Sequence, residues 1–439
     1  MRIYGNMHLT FICLKYSIKF MRLQEFLQKN YCQSQFIVLQ LCYMDKVNIL
    51  GINISILNKK EILGKINEFL KSRGKHQIAT INPEFLLTAQ TDEEFYHILN
   101  TVDLAVPDGI GLVFAGWASG IILERYSGAD LAKDILKIAG EKKLKVGILN
   151  WNRGLSKKEE IKKALILKYP TLNFIVADTE KNNKALIEDL ISFDPDILFS
   201  TLGAPWQEKI IYHALKSMAS IKLGMGVGGG FDFLTGKIKR APKIFQRAGL
   251  EWLWRLIKQP TRYKRIINAV IIFPLVFLKW KFILPFFYRK NIACLIYKKE
   301  NERLKILIVK RSGTLDHWQI PQGGLDGKSC EQAALQEIKE ELGIKKIEIK
   351  VIYRNIFKYD FNERIGKYNT ETKKARGYKG QIQSLAVAEY SGDGNEIKIN
   401  YWDHAGWKWI ESDNLINELH PLRRESGELF LKKLYELEN

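Results

Sequence analysis

Three glutamates, Glu337, Glu340 and Glu341, close the stretch GGLDGKSCEQAALQEIKEELGI, residues 323–344. Residues three and four apart are neighbours on a helix, so this spacing puts all three carboxylates on one face. Converging carboxylates repel one another unless a cation lies between them. A second set of chemistry-bearing residues lies in the first half of the chain. TINPEF offers Thr80 and Asn82, PDGIG offers Asp108, and LGAPWQEK offers Gln207. GVGGGFDFLTG offers the amides of Gly226, Gly228, Gly229 and Gly230, which can approach a diphosphate closely. Each signal is weak by itself, because an Asp-Gly pair is usually just a turn.

The elements that must position these residues are legible. Apolar runs at 76–81, 103–108, 144–150, 172–178, 196–203 and 220–229 alternate with helical patterns. Buried strands alternating with helices predict an α/β, Rossmann-like parallel sheet with helices on both faces. Ligands in such folds bind beyond the carboxyl ends of the strands. The singled-out residues of the first half fall on those ends and together outline a nucleotide or diphosphate site. The second half differs. IACLIYKKENERLKILIVKRS predicts a hairpin turning at Lys299–Glu302, GQIQSLAVAEYSG and GWKWIE predict further strands, and 425–438 a closing helix. Mixed strands with an acidic helix predict an α+β sandwich.

A length of 439 residues suggests two domains or more. The net charge is +20, from 68 basic and 48 acidic residues, and it is concentrated. Residues 237–290 hold fourteen Lys and Arg against one acid, Glu251. Such a segment calls for an anionic partner: nucleic acid, anionic lipid or a phosphorylated substrate. Interleaving with Phe245, Trp252, Trp254, Tyr263 and the apolar run Ile266–Leu278 favours a membrane surface over nucleic acid. That run is broken by Asn268 and Pro274 and closed by Lys279-Trp280-Lys281. It falls short of the roughly 20 apolar residues that a span needs, so it predicts a segment lying in the interface. A buried core helix is the other reading. Five scattered cysteines with no C-x-x-C pair indicate neither a zinc site nor a disulfide framework, which suits a reducing cytoplasm. Residues 1–43 lack a clear period and a small-residue cleavage site. They read as an extension ahead of a start at Met44, or as a loosely ordered addition.

Residues 46–265 resemble the WecG/TagA/CpsF family of bacterial glycosyltransferases. The matching pieces are INPEFLLTA, VPDGIGLVFA, ERYSGADL, LGAPWQEKII, GVGGGFDFLTGKIKRAP and GLEWLWRLIKQPTRYKR. The resemblance implies transfer of an N-acetylmannosamine-type sugar from a UDP donor to undecaprenyl-diphosphate-linked N-acetylglucosamine, as in wall teichoic acid synthesis. It implies inversion without a metal, with Asp108 as the base that takes the acceptor's hydroxyl proton. Thr80, Asn82 and Gln207 match pocket positions, and Arg125 in ERYSGAD a basic position near the diphosphate. With no metal, arginines and backbone amides must stabilise the leaving UDP. Gly228, Gly229 and Arg240, Arg255 and Arg262 of the basic tail are the candidates. In the family the appendage covers the active site and touches the membrane. The expectation is a core at 44–236, then an appendage and linker at 237–290. The enzyme would sit peripherally on the inner membrane surface, at the cytoplasmic face, docked around 250–288.

Residues 292–436 resemble the Nudix hydrolases, with HWQIPQGG and GWKWI pointing to the RNA pyrophosphohydrolase and dinucleoside-polyphosphate hydrolase branch. The domain is expected over 291–439. The resemblance implies cleavage of a diphosphate with Mg²⁺ or Mn²⁺ held by carboxylates, an oxygen-rich set of the kind magnesium takes. Glu337, Glu340 and Glu341 match the glutamates of R-E-U-x-E-E, with Glu340 and Glu341 as catalytic candidates. Asp403 matches a further ligand. The motif departs from the family in three ways. Gln336 replaces its arginine, Lys328 replaces its upstream glutamate, and the LDGK loop is one residue shorter. Loss of both members of that structural pair leaves no partner stranded. The implied substrate is a nucleotide or an RNA 5′ end. The alternative is a domain that binds nucleotide without cleaving it. The oligomeric state stays open.

Overall fold

The computed structural model describes residues 45–181, 188–242, 244–245, 251–313, 316–361, 364–365, 368–369 and 377–438. The reading of 1–43 as an extension lies outside the described residues, as do the side chains of Arg255 and Lys258.

A hairpin of β1 (Lys46–Ile49) and β2 (Ile52–Ser55) opens the first domain. Six strands follow: β3 (His76–Ile81), β4 (Leu104–Pro107), β5 (Lys145–Trp151), β6 (Asn173–Thr179), β7 (Ile197–Ser200) and β8 (Leu223–Gly226). They form one parallel sheet in the order β4–β3–β8–β7–β5–β6. Between them lie α1 (Lys59–Lys71), α2 (Pro83–Thr88), α3 (Glu93–Thr101), α4 (Ile110–Trp117), α5 (Gly128–Glu141), α6 (Lys158–Lys168), α7 (Glu188–Phe193) and α8 (Trp206–Ser217). The short α9 (Gly230–Leu234) follows β8. The central strands are buried on both faces, which is why they read as continuous apolar runs rather than alternating ones. One face packs on α1, α5 and α6 through Ile62, Ile135 and Ile161. The other packs on α2, α3 and α4 through Phe85, Phe95 and Leu112.

The basic segment forms α10 (Glu251–Lys258) and then a continuous helix, α11 (Pro260–Phe286). Here the structure departs from the expected short apolar run. The helix has 27 residues and is long and apolar enough, by length and composition, to cross a membrane. Pro274 does not break it. Proline removes an N–H and crowds the carbonyl four residues back. A π-turn over Asn268–Ile272 adjoins that point and moves the pairing by one residue. Phe273 and Phe277 are fully buried in the core that holds α2 and α4. Gly111 of α4 is needed there, because a Cβ would stand 3.5 Å from the Phe273 ring and 2.8 Å from Pro83. The helix therefore lies along the domain by one face. Its other face exposes Leu275, Phe282 and Phe286, next to an α4 that exposes Phe114 and Trp117.

The second domain begins with the hairpin of β9 (Tyr288–Glu300) and β10 (Arg303–Arg311). Its turn residues Asn301 and Glu302 both have positive φ, 51° and 64°, the twist that matches a two-residue hairpin. Then come β11 (Trp318–Gln319), β12 (Gln322–Gly324), α12 (Cys330–Leu342), β13 (Glu348–Asp360), a small hairpin of β14 (Arg364–Ile365) and β15 (Tyr368–Asn369), β16 (Gly380–Glu389), β17 (His404–Glu411) and α13 (Arg424–Glu438). The mixed sheet runs β11–β10–β9–β16–β13, with β12 beside β9, β17 beside β10, and β9 parallel to β16. Helix α12 covers one face through Ala334 and Ile338, and α13 the other through Phe430 and Leu434.

The two domains touch through Tyr401. Its ring stacks on Tyr212 of α8 at 5.5 Å and 16°. The rings of His97 and His213 meet it edge-on, and its hydroxyl donates to Glu94 Oε1 at 2.7 Å.

Candidate active sites

The strand ends of the first domain gather the predicted residues in two groups. Thr80 is buried at the end of β3. It lies against Gly128, where a Cβ would stand 2.8 Å from its hydroxyl. Asn82 caps α2, its side-chain oxygen accepting the N–H groups of Glu84 and Phe85. Asp108 follows β4. Its Oδ2 accepts the Gly128 N–H at the start of α5 (3.1 Å), and its Oδ1 stands 3.5 Å from Arg125 Nε. One carboxylate oxygen is thus fixed by the backbone while the other faces a guanidinium.

Arg125 also grips Glu251, which in turn reaches Arg240 Nε at 3.8 Å. Arg240 forks onto Asp130 of α5 and donates to Ser127 Oγ. The sole acid of the basic segment is therefore the point at which α10 attaches to the site. Coulombic attraction from Asp108 and Glu251 raises the Arg125 pKa against the opposing effect of burial. The hydrogen bond to Asp130 raises that of Arg240. Arg265 forks onto Glu84 and ties α11 to α2. Arg262 ends the first turn of α11, away from these pairs in sequence and partly buried. Arg255 lies in α10, with its side chain outside the described residues.

The second group is a brace. Gln207 is 3% exposed. Its Oε1 accepts the N–H groups of Gly203 (3.1 Å) and Gly228 (2.9 Å), so it joins the β7 loop to the β8 loop. Its Nε2 donates to Glu208 Oε1 at 2.6 Å. Gly226 must lack a side chain, since a Cβ would stand 2.4 Å from Gln207. The expected pocket residue Gln207 therefore reaches the site only through the glycine loop it holds. Gly228, with φ +47°, and Gly229 form the turn above it. Glu208 is fully buried, and burial pushes its pKa up to about 8.

In the second domain Ser329 and Gln332 form a capping box at the start of α12, and Gly343 ends it at φ 72°. Glu337 lies directly under Gly323, where a Cβ would collide with its carboxyl at about 2 Å. Burial, then the charge of Glu341, push Glu337 up to about 8. Burial likewise raises Glu341 well above the carboxylate range. Glu340 faces outward and accepts a hydrogen bond from Gln336 at 2.7 Å. Arg289 of β9 reaches both oxygens of Asp326 in the LDGK loop at 3.3 Å.

At the start of β17 it is His404, one residue after the expected Asp403, that meets the glutamates, with Nε2 3.1 Å from Glu341 Oε2. Asp403 acts on His404 and Arg311 instead. Glu93 of the first domain adds its charge to both Glu337 and Glu341. Sequence reasoning found neither His404 nor Glu93; a histidine next to a predicted ligand was the one available signal. Among the described residues no three His, Cys, Asp or Glu side chains converge closely enough to hold a cation as they stand. The donor chemistry of Glu337 and Glu341 fits a divalent cation, because burial raises both carboxyls and the charge of Glu341 adds to that effect on Glu337, so the pair calls for a proton or a metal. Glu340 is turned away toward Gln336.

Comparison with known proteins agrees with this division. The model of the glycosyl transferase WecG/TagA/CpsF family matches residues 47–285, and that of the NUDIX domain residues 287–432. An N-acetylglucosaminyldiphosphoundecaprenol N-acetyl-beta-D-mannosaminyltransferase of Bacillus subtilis is 32% identical over 197 residues, 44% of this chain and 75% of the relative. The enzyme of that name from Staphylococcus aureus MRSA252 is 29% identical over 233 residues, 52% of this chain and 90% of the relative. Among solved structures, the binary complex of a C. elegans Ap4A hydrolase covers 34% of this chain and 96% of its own, at 24% identity and a TM-score of 0.26. Matched over more than half its length, the chain belongs to the WecG/TagA/CpsF family of glycosyltransferases and carries a NUDIX domain behind it.

Proposed function

We propose that the first domain transfers N-acetylmannosamine from its UDP donor to a polyprenyl-diphosphate-linked N-acetylglucosamine, with inversion. The observation that carries this reading is Asp108. Its carboxylate stands at the carboxyl edge of the sheet, fixed by the Gly128 N–H and facing Arg125. In the reaction Asp108 takes the proton of the acceptor hydroxyl as that oxygen attacks the anomeric carbon. The bond to the UDP oxygen breaks, and the charge left on the diphosphate is met by Arg125 and Arg240. The acceptor is a lipid diphosphate. The exposed apolar faces of α4 and α11, flanked by lysines and arginines, would dock on the cytoplasmic face of the membrane. Burial of Phe273 and Phe277 supports a helix lying at the surface rather than crossing it.

The second domain is proposed to cleave a phosphoanhydride. Glu337 and Glu341 would hold Mg²⁺ or Mn²⁺, which when bound neutralises charge on the phosphoryl oxygens. His404 orients Glu341, and Gly323 lets Glu337 approach the β12 backbone. A second reading, binding without cleavage, is favoured by Glu340 being engaged by Gln336.

The test is one nucleotide chromatogram. The protein is incubated with UDP-N-acetylmannosamine and a short-chain lipid-diphosphate N-acetylglucosamine, with Mg²⁺ or with EDTA. The expected result is UDP that requires acceptor and survives EDTA. UDP release that EDTA abolishes would refute the metal-free transferase. No UDP with either metal or acceptor present would refute the donor or acceptor assignment.

A further inference from the structure

The end of α11 and the start of the second domain enclose a cleft of about 560 Å³ that neither chemistry uses. Lys279 of α11, Arg289 and Lys290 of β9 and Lys328 of the LDGK loop line it, against one acid, Asp326. Arg289 is committed, because its side chain is 11% exposed and reaches both oxygens of Asp326. Lys279, Lys290 and Lys328 are exposed and, among the described residues, form no ion pair. One acid does not neutralise four cations, so the cleft attracts an anion. Lys328 stands where the NUDIX resemblance expects a glutamate, and a cation there cannot hold a metal.

The walls are fixed to one another. β9 begins at Tyr288, two residues after α11 ends at Phe286. The Lys379 N–H donates to the Phe287 carbonyl at 2.8 Å. Gly377 lies so close to Trp280 of α11 that a Cβ would stand 2.6 Å from the indole ring. On the opposite wall the Leu325 N–H donates to the Lys290 carbonyl at 3.2 Å, which holds the LDGK loop on β9. The lysines of the loop and of the helix therefore face one space by construction.

The remaining lining gives the ligand a second property. Ile283, Phe287 and Leu325 border the same space as the cations. Lys279 and Ile283 are four apart and share one stripe of α11. Beside that stripe Leu275, Leu278, Phe282 and Phe286 are exposed, at spacings of three and four. An interfacial helix sinks its apolar face about 5–10 Å into the boundary between headgroups and acyl chains, and a helix is about 10–12 Å across. With the Phe282 stripe at that boundary, the cleft lies level with the lipid phosphates. A dissolved nucleotide would leave the apolar wall unused. An anionic lipid brings a phosphate for the lysines and a chain that can run past Ile283 and Phe287 into the bilayer.

We propose that the cleft between α11 and the LDGK loop binds the phosphate headgroup of an anionic membrane lipid and so seats the NUDIX domain on the bilayer that α11 docks on. This rests on the reading of α11 as a surface helix and adds a lipid contact made by the second domain. The test mixes the full chain with phosphatidylcholine vesicles, with or without phosphatidylglycerol. Co-sedimentation reads affinity, and amide hydrogen exchange reads residues 325–328. Wild type is compared with Lys290→Gln/Lys328→Gln. Lys345→Gln/Lys346→Gln serves as a charge-matched control outside the cleft, Phe282→Ser/Phe286→Ser as a helix control, and unchanged thermal melting as the folding control. The expected result is slowed exchange at 325–328 on phosphatidylglycerol vesicles alone. Lys290→Gln/Lys328→Gln should lose that protection and about thirtyfold in vesicle affinity, roughly fivefold per lysine, with Lys345→Gln/Lys346→Gln unchanged. An equal loss in both lysine pairs would mean diffuse charge and overturn the site. Equal slowing of 325–328 by dissolved glycerol phosphate without vesicles overturns the lipid assignment. Binding lost in Phe282→Ser/Phe286→Ser but kept, with loop protection, in Lys290→Gln/Lys328→Gln overturns the cleft and leaves the surface helix. Wild type that ignores both kinds of vesicle removes the surface helix and the cleft together.

Discussion

Replacing Glu251 by glutamine removes one negative charge held between two guanidiniums. At 3.8 Å from Arg240 Nε, the gross attraction is about 4 kcal/mol at an effective dielectric of 20. Most of that is offset by desolvation. Breaking a buried pair costs about 3–5 kcal/mol, and an exposed one about 0.2–1 kcal/mol. The Arg125 and Arg240 side chains are 26% and 30% exposed, and Glu251 11%. Each arginine also keeps another acid, Asp108 or Asp130. The net loss is therefore about 1–2 kcal/mol, a 5–30-fold shift toward an undocked α10. Two measurements check it. Hydrogen exchange across 251–258 should accelerate, while exchange in β3 and β8 should not. UDP affinity should rise severalfold, because a carboxylate no longer competes with the diphosphate for the same guanidiniums. Weaker UDP binding in Glu251→Gln, with unchanged exchange in α10, would refute the reasoning.

Asp108→Asn keeps an acceptor for the Gly128 N–H but cannot take a proton, so kcat should fall about 10²–10⁴-fold. UDP binding should stay within about twofold, and a comparable loss of UDP binding would count against a base. Glu208 has a folded pKa of about 8, above the usual 4.5. A raised carboxyl stabilises the fold fully below its unfolded pKa and loses that contribution as pH rises through about 8. Glu208→Gln should flatten the slope of stability against pH between these values and be the more stable form above pH 8, as read by urea unfolding; an unaltered slope would contradict the assignment. Glu337 is likewise raised to about 8. Mn²⁺ must displace its proton, so affinity followed by paramagnetic resonance should climb up to about tenfold per pH unit toward pH 8. A flat profile would show that Glu337 is not a ligand.

Much of the parallel sheet was legible, because each buried strand is a short apolar run ahead of a helical pattern, as in HQIATI before PEFLLT. The strand-end residues Thr80, Asn82 and Asp108 could be placed by the same logic. What could not be read depends on contacts distant in sequence. Glu251 stood out as a lone acid in a basic run, but its partners Arg125 and Arg240 are set by how α10 folds back. The LDGK loop looked unbraced because the helix position that usually braces it holds Gln336. Its support comes from Arg289, on a strand far ahead of the helix. The length of α11 was underestimated because composition breaks at Asn268, Pro274 and Lys279, whereas the backbone runs through them by widening into π-turns. His404 opens β17 and reaches Glu341, whereas Asp403 belongs to the turn ahead of the strand, a boundary that composition does not mark.

The joint between the domains sets the first turn of α3 beside the glutamates of the second domain. Tyr401 buries its ring among Tyr212, His97 and His213, and aromatic pairs of this kind contribute about 0.5–1.5 kcal/mol each beyond the area they bury. Its hydroxyl rests on Glu94, whose pKa burial works to raise but which His213, Tyr401 and Lys209 together hold down to about 2. A depressed carboxylate keeps its stabilising contribution above the ordinary carboxyl range and loses it only as pH falls toward 2. The contact is thus electrostatically intact at neutral pH. The two residues ahead of Glu94 matter as well. Asp92 caps α3 and pairs with Lys209 of α8, while Glu93 sets its charge against Glu337 and Glu341. The first turn of α3 is therefore part of the first domain's framework and of the second domain's electrostatics at once. A cation bound by Glu337 and Glu341 would relieve the repulsion on Glu93 and tighten the joint through the same turn. Conversely, loosening the Tyr401 seat would withdraw Glu93 and lower the charge that attracts the cation. Coupling of this kind needs no change in either active site, only a shift in how firmly α3 is held between them.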